Sequence, residues 1–477
     1  MPDPQITKDA VIIGGGISGL ATAYRLQKAG LAVLLLEKSA KIGGAIRSEK
    51  VGEFLIDYGP NSTLDTSPKI GDFIKELGLT DRRVNANAEA SRRYILKNGE
   101  LVPLPMNPPQ FLKSGLFSFR AKLRLLKEPF VQPAPENKEE TIAEFVERRL
   151  GREFLDYAIN PFIAGVYAGD PDRLSVRSAV AKIYALEKNY GSLIKGAVKG
   201  ARERKKRADT DKTKAQLFSF KDGMHELSDA LASALGNNIQ TQSVLEEINP
   251  PSNSNGLYSV TYANAGKKIT VQTKSLIFTS PAFVTAEYLR PFDQLLAKKL
   301  SEIFYPPVAV VFLGFEHKVP CRPLDGFGFL VPKVESRKIL GTIWSSTIFP
   351  NRAPNSGMAL TTFVGGMRQP ELTNLEDAEL TDVVLQELKS LMALEGKPDI
   401  VRIKRWQKAI PQYELGHQER MDAVERFESA NPGIFVSGNF RNGISVGDCI
   451  VQSEAMAEKV LDFCKHPQVS ENVNVVS

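Results

Sequence analysis

Cysteine, histidine and tryptophan are scarce in this chain: 477 residues hold three, four and two of them. No apolar run approaches the length of a bilayer crossing. Each scarcity closes off a class of protein. Cys321, Cys449 and Cys464 share no metal-ligand spacing and cannot form a disulfide framework, which points to a reducing compartment and to no metal site. No histidine lies in a catalytic motif, and His225, on the helical stretch after Gly223, reads as structural. The apolar runs at residues 31–36 and Val308–Phe315 fall far short of the ~20 residues a spanning helix needs, so a single-pass membrane protein is not expected. The opening MPDPQITKDAVIIGGG has neither the charged and apolar regions of a signal peptide nor an Arg/Ser-rich presequence, and a cytoplasmic protein is expected. What remains is an ordinary globular composition, 42% apolar and 24% charged, in a chain too long for one core. Two or three domains follow.

The clearest local signal is at the start. Residues 10–13 read as a strand, Gly14-Gly-Gly16-Ile-Ser18-Gly19 as a G-x-G-x-x-G turn, and the following stretch with Ala21, Ala23 and Leu26 as a helix. A second strand at 31–36 ends in Glu37. In such a β-α-β unit Gly14 permits the tight turn, Gly16 lets the backbone approach a pyrophosphate, and Gly19 lets helix and sheet pack closely. The helix N-terminus offers free N–H groups to the phosphates, and Glu37 can accept both ribose hydroxyls. A dinucleotide is the expected ligand.

Residues 108–215 differ in character. They hold 22 Lys/Arg against 14 Asp/Glu, a net +8, whereas the whole chain is +6. Phe111, Leu112, Leu116, Phe117, Phe119, Leu123, Leu125, Leu126 and Phe130 are interleaved with Lys113, Arg120, Lys122, Arg124 and Lys127. Such mixing suits a helix-rich surface lying against an anionic membrane. It also suits an amphipathic helix packed on the core with a solvated basic face. The membrane reading is the expectation; nucleic acid is not expected, since no binding motif accompanies the charge. Residues 202–207 and 209–214 read as a mobile linker.

After this segment, residues 239–248 and 275–279 read as strands. Between about 300 and 400, strands at Val308–Phe315, 327–331 and 359–364 precede a helix at 380–394. At the C-terminal end an apolar strand closes on Gly438-Asn439, and Gly443-Ile444-Ser445-Val446-Gly447-Asp448 opens a final helix. Its N-terminal N–H groups are suited to a locus where negative charge collects.

Several of these strings resemble a known family. Lys41-Ile-Gly43-Gly44-Ala45-Ile-Arg47-Ser48 resembles the glycine doublet that lies along the FAD pyrophosphate in the amine oxidase superfamily, with Lys41 where the family carries arginine. Residues 54–62, with Gly59, Pro60 and Asn61, resemble the loop beneath its flavin ring. Asn160-Pro-Phe-Ile-Ala-Gly165-Val-Tyr-Ala-Gly169-Asp170-Pro171, Tyr305-Pro306-Pro307-Val308, Phe349-Pro-Asn-Arg352-Ala-Pro354 and Gly438-Asn-Phe-Arg-Asn-Gly443 are similar to protoporphyrinogen oxidases over nearly the whole length. The resemblance implies an α/β fold with three parts. A discontinuous Rossmann-like FAD domain would comprise 1–90, 216–285 and 400–477, and an inserted sheet-containing substrate domain 91–107 and 286–399. A helical membrane-binding domain would comprise 108–215. It carries Ser18, Lys38 and Trp406 into the cofactor set, along with Val244 as a backbone contact to adenine. FAD would be non-covalent, because no cysteine stands just ahead of the C-terminal flavin strand.

For the substrate, the resemblance implies that Arg93 holds a propionate, a task for which a planar guanidinium fork is suited. Arg92 beside it is the alternative. Leu330 and Ile343 would clamp one pyrrole ring and Phe363 would lie on the other side, although the residues alone read as core. Gly169 would turn its carbonyl to the tetrapyrrole. The implied reaction is oxidation of protoporphyrinogen IX to protoporphyrin IX, three hydride transfers to FAD with O2 as acceptor and H2O2 as product, without a protein acid or base. Coproporphyrinogen III is the nearest rival substrate. Another flavin oxidase of the superfamily, acting on an amine or a carotene, and a non-enzymatic flavin-binding protein are further alternatives. Peripheral attachment to the cytoplasmic membrane is implied, with room for a homodimer and for product hand-over to ferrochelatase.

Overall fold

The protein is described here by a computed structural model covering residues 6–135, 138–206, 216–251 and 256–466. Strand Ile6–Ile13 pairs in parallel with Val33–Leu36 on one side and Lys267–Phe278 on the other. A central parallel strand is covered on both faces, which is why residues 10–13 form an unbroken apolar run. Successive side chains leave on opposite faces. Ala10 and Ile12 enter a core with helices Ile17–Lys28, His225–Leu235 and Val446–Lys465. Val11 and Ile13 enter a second core with Ala282–Leu289, Gln294–Ser301 and His417–Ala430. The sheet order is Ile239–Gln240, Val33–Leu36, Ile6–Ile13, Lys267–Phe278, Tyr258–Asn264, Ser243–Asn249, and Ile434–Val436 also pairs with Lys267–Phe278.

A second sheet runs Ile400–Trp406, Val308–Phe315, Met358–Gly365, Gly341–Ile343, Gly328–Leu330, Arg93–Lys97, Glu100–Pro103. Helix Asp377–Met392 closes one of its faces, burying Leu380, Val384 and Leu388 with Val311, Leu360 and Phe329. The expected mixed α/β class is what is found.

Segment 108–206 is helical, from Pro108–Lys113 to Leu193–Lys206, and has its own apolar core around Phe117, Phe145 and Phe154. A fully buried ion cluster also ties it together. Arg149 bonds to Glu128 at 3.2 Å and to Glu187, while Glu128 accepts the Leu193 amide at 2.8 Å at the start of the last helix. Negative charge at that helix end is electrostatically favoured.

Two sequence expectations change. Residues 202–206 are the end of a helix, Leu193–Lys206, rather than a linker; 207–215 lie outside the described residues. The strand expected over 239–248 is two strands, because the chain leaves a parallel pairing at Ile239–Gln240, turns through Gln242 at φ 53°, and enters an antiparallel one at Ser243–Asn249.

Candidate active site

The glycine turn is built as a cradle. Gly14 has φ +112°, and Thr279 Oγ1 donates to its carbonyl at 3.0 Å. A Cβ on Gly19 would lie 2.0 Å from that same carbonyl, so only glycine lets helix Ile17–Lys28 start here. Gly16 caps the helix without a side-chain bond, and the space where its Cβ would stand is open. An uncapped helix start beside open space fits a pyrophosphate. The doublet folds directly onto this turn: the Gly43 amide donates to Gly15 O at 2.7 Å, and Gly44 packs on Gly16.

Glu37 ends the second strand half-buried, accepting from the Gly15 amide at 2.7 Å and the Ser39 amide at 2.8 Å. The neighbouring Ser243 amide donates to Glu37 O, which brings Val244, 47% exposed, to the same end of the sheet. Lys38 and Lys41 are exposed. A residue that sequence reasoning passed over, Arg47, holds the doublet loop by donating to Ile42 O at 2.5 Å and Lys41 O at 3.0 Å. Ser18 is buried and meets the buried Cys449 thiol, joining the starts of the first and last helices.

Ala45 leads to the second loop. A Cβ on Gly59 would fall 1.9 Å from the Ala45 carbonyl, so the two segments touch backbone to backbone. Trp406 Nε1 donates to Tyr58 O at 2.8 Å, and Pro60 and Asn61 continue this loop half-buried. Beneath it, Arg352, 2% exposed, donates to Asp57 at 3.0 Å and Ser219 at 2.6 Å. Asn61, Ile343, Asp57 and Arg352 border one small cavity, so the loop and the second sheet share a wall. Nothing in the sequence but the string around Phe349 marks Arg352, because its partner is 295 positions away.

In the C-terminal turn the Tyr413 hydroxyl donates to Asn439 O at 2.7 Å and accepts the Gly443 amide at 2.9 Å. Gly438 and Gly443 have φ +137° and +136°. Ser445 and Asp448 then form a capping box at the head of Val446–Lys465. A capping box satisfies two amides, so the free N–H groups available here are those of Val446 and Gly447.

On the second sheet, register places the substrate candidates on one face. Arg93, Gly328, Ile343 and Thr361 form one cross-strand row, and Ile95, Leu330, Gly341 and Phe363 the row two residues along. Leu330, Ile343 and Phe363 are each half-exposed, whereas Phe329, Thr342 and Thr362 on the other face are buried. Leu330 packs with Ile444 on the helical core, and Phe363 packs with Trp406 on Ala164 and Ala168. The Ala168 carbonyl accepts from Met367 N at 2.8 Å, holding Gly169 beside the end of Met358–Gly365. Arg93 is exposed, its guanidinium 5.3 Å from the Phe327 ring centroid, and Phe327 and Ile343 pack against the same small core of Ala90, Ile348 and Phe349.

Residues 17–461 match the family of flavin-containing amine oxidoreductases. The chain belongs to that family. A dinucleotide cradle in a flavin-containing family identifies the cofactor as FAD, and the open space at Gly16 with Glu37 alongside fits it. Among relatives, Arabidopsis thaliana protoporphyrinogen oxidase 2 is 34% identical over 96% of this chain and 94% of its own. Bacillus subtilis coproporphyrinogen III oxidase is 30% identical over 96% and 98%. An Exiguobacterium sp. 255-15 crystal structure, provisionally described as protoporphyrinogen oxidase, superposes with a TM-score of 0.80 at 25% identity, covering 96% of this chain and all of that one. Reduced UDP-galactopyranose mutase shares the fold alone of this flavin oxidoreductase, with a TM-score of 0.71 at 17% identity, over 96% and 94% of the two chains.

Proposed function

We propose that the protein oxidises protoporphyrinogen IX to protoporphyrin IX with FAD and O2, in tetrapyrrole biosynthesis. The observation that carries this reading is a guanidinium, Arg93, with no carboxylate partner among the described residues, at the rim of a half-open apolar face made by Ile343, Leu330 and Phe363. A flat macrocycle with apolar faces and propionate edges matches that combination. An amine substrate would call instead for an aromatic cage, and a carotene for a long apolar tunnel.

Bound FAD would supply the hydride acceptor for each of three two-electron oxidations, which together consume three O2 and give three H2O2. The chain's own residues bind and orient. Arg93 offers two parallel donors to a propionate. Leu330 and Ile343 hold one pyrrole ring against Phe363, and the Gly169 carbonyl faces the macrocycle. Gly16 and the helix behind it take the pyrophosphate, with Gly43 and Gly44 alongside. Glu37 takes the ribose hydroxyls and Val244 the adenine edge. Ala45, Gly59, Asn61 and Trp406 border the ring system, with Ile444 and Ser445 in the turn beside it and the free Val446 amide on its N1/O2 side. Positioning and fixed dipoles, rather than a protein base, are the protein's part in such chemistry.

In this reading residues 1–90, 216–285 and 400–477 hold the cofactor, and 91–107 with 286–399 hold the substrate. Residues 108–215 meet a membrane surface. Support for the last role is the cluster of exposed Leu112, Phe119, Leu123, Leu126 and Phe130 among basic residues. No described helix is long and apolar enough to cross a membrane, so attachment would be peripheral.

Coproporphyrinogen III is the second reading, favoured by the Bacillus subtilis relative. Incubating holoenzyme aerobically with each porphyrinogen, and following porphyrin fluorescence and peroxide, tests both. Faster appearance of protoporphyrin supports the first reading. Faster coproporphyrin transfers the proposal to the second, and no porphyrin from either removes both.

A further inference from the structure

Gln412 is 2% exposed, and its amide is oriented without ambiguity. One end lies 2.8 Å from Tyr167 O and 3.0 Å from Ile410 O; two carbonyls accept only from a donor, so this end is Nε2. The other end, Oε1, is buried with no hydrogen-bond partner among the described residues. It faces Gly169: a Cβ on that glycine would come 2.6 Å from Oε1, with Leu174 and Tyr167 at 3.1 and 3.2 Å. An acceptor left bare in an interior is costly, so it is retained where the donor end does something the fold needs.

The next residue faces the other half of the site. Tyr413 bridges Asn439 O and Gly443 N through one hydroxyl, pinning both ends of the turn that leads into Ile444–Val446. Its ring is supported by His417, stacked at 4.1 Å and 11°. The dipeptide itself is held by backbone bonds on both sides, Gln412 N to Phe304 O at 2.9 Å and Ser175 N to Tyr413 O at 2.8 Å. The two side chains serve different partners, Gln412 the Tyr167 and Ile410 carbonyls and Tyr413 the 439–443 turn.

We propose that Gln412–Tyr413 is a strut, two positioning residues that set the Gly169 turn against the cofactor's C-terminal turn. Gln412 acts on the substrate side through the Tyr167–Gly169 backbone, and Tyr413 acts on the cofactor side through Asn439 and Gly443. Neither touches the reacting atoms. The inference rests on the proposed roles of Gly169 and of residues 439–446 in porphyrinogen oxidation.

The test is a double-mutant cycle between Gly169→Ala and Gln412→Ala, assayed with FAD-saturated enzyme and protoporphyrinogen. In the native background the new methyl collides with Oε1 and kcat/KM falls. In the Gln412→Ala background the collision is gone, and the further loss caused by Gly169→Ala is smaller by about tenfold. Tyr413→Phe separates the two ends of the strut: FAD affinity falls about tenfold, while KM at saturating FAD stays near wild type. If Gln412→Ala does not yield soluble holoenzyme, Gln412→Met keeps the volume, removes the donors, and presents the new methyl with a flexible thioether. Equal losses from Gly169→Ala in both backgrounds overturn the strut and leave the function standing. A silent Gly169→Ala in otherwise native enzyme overturns the role of that turn, and the strut with it. Tyr413→Phe that changes KM and leaves FAD affinity alone also contradicts the assignment.

Discussion

Arg92 and Arg93 leave adjacent backbone positions for different partners: Arg92 donates to Asp325 at 2.5 Å, and Arg93 lies over the ring of Phe327. Arg92 is committed to a carboxylate, whereas Arg93 has no carboxylate partner among the described residues. Arg93→Ala should raise KM for protoporphyrinogen about ten- to a hundredfold, the effect of losing a charged hydrogen bond worth roughly 1.5–3 kcal/mol. The maximal rate should change less, since a propionate is remote from the bridge being oxidised. Arg93→Lys should recover part of the loss, because an ammonium keeps the charge but not the fork. Arg92→Ala should leave KM nearly unaltered. Steady-state kinetics of the three variants decide it, and the reverse ranking would move the propionate contact to Arg92.

The Glu37 carboxylate sits between the Gly15 and Ser39 amides at the end of the cradle. Removing it should weaken FAD binding roughly ten- to a hundredfold, by loss of a charge-assisted bond of about 1.5–3 kcal/mol. Glu37→Ala should emerge from extended dialysis as colourless, folded apoprotein. A variant that stays as yellow as wild type would count against the ribose assignment.

His417 makes stability depend on pH in a definite direction. Burial, and then the Arg420 guanidinium, pull its pKa from the usual 6.5 down to about 4. The unfolded chain therefore binds a proton that the folded one refuses between these values. Stability is lost as pH falls from about 6.5 to about 4, at up to ~1.4 kcal/mol per pH unit from this residue. His417→Phe keeps the stack on Tyr413 and removes the titration. Urea midpoints measured across that range should slope less in the variant, and equal slopes would exclude His417 as a source.

How much of this was legible in the sequence depends on distance along the chain. Gly14, Gly16, Gly19 and Glu37 lie within one β-α-β unit, and local spacing was enough to find them. Leu330, Ile343 and Phe363 read as core because apolar residues in strands usually are. They are half-exposed because helix Asn160–Tyr167 and the Ala168 turn cover their face only in part, whereas Asp377–Met392 closes the other face. Family resemblance alone marked them out. The contacts of Arg352, Gln412 and Tyr413 are not legible in the sequence, since each depends on partners brought near by folding, 133 to 295 positions away for Arg352 and 245 for Gln412.

The exposed apolar residues of segment 108–130 give a surface prediction. Phe119 is 75% exposed and Phe130 82%, with basic side chains between them. The protein should co-sediment with anionic vesicles at low salt, and added salt should weaken this without abolishing it, since charge and shallow apolar burial act together. A Phe119→Ser, Phe130→Ser variant should remain in the supernatant at a salt concentration where wild type still sediments. Wild-type protein that ignores such vesicles would mean that this face is simply solvated.

Electrons from a porphyrinogen should reduce this chain's bound FAD. Anaerobic mixing of the holoenzyme with protoporphyrinogen IX, followed at the visible flavin band, tests it most directly. The yellow colour should bleach, porphyrin absorbance should appear in step, and the colour should return when O2 is admitted. A flavin that stays oxidised with protoporphyrinogen and with coproporphyrinogen, while dithionite still bleaches it, would rule out porphyrinogen oxidation by this protein.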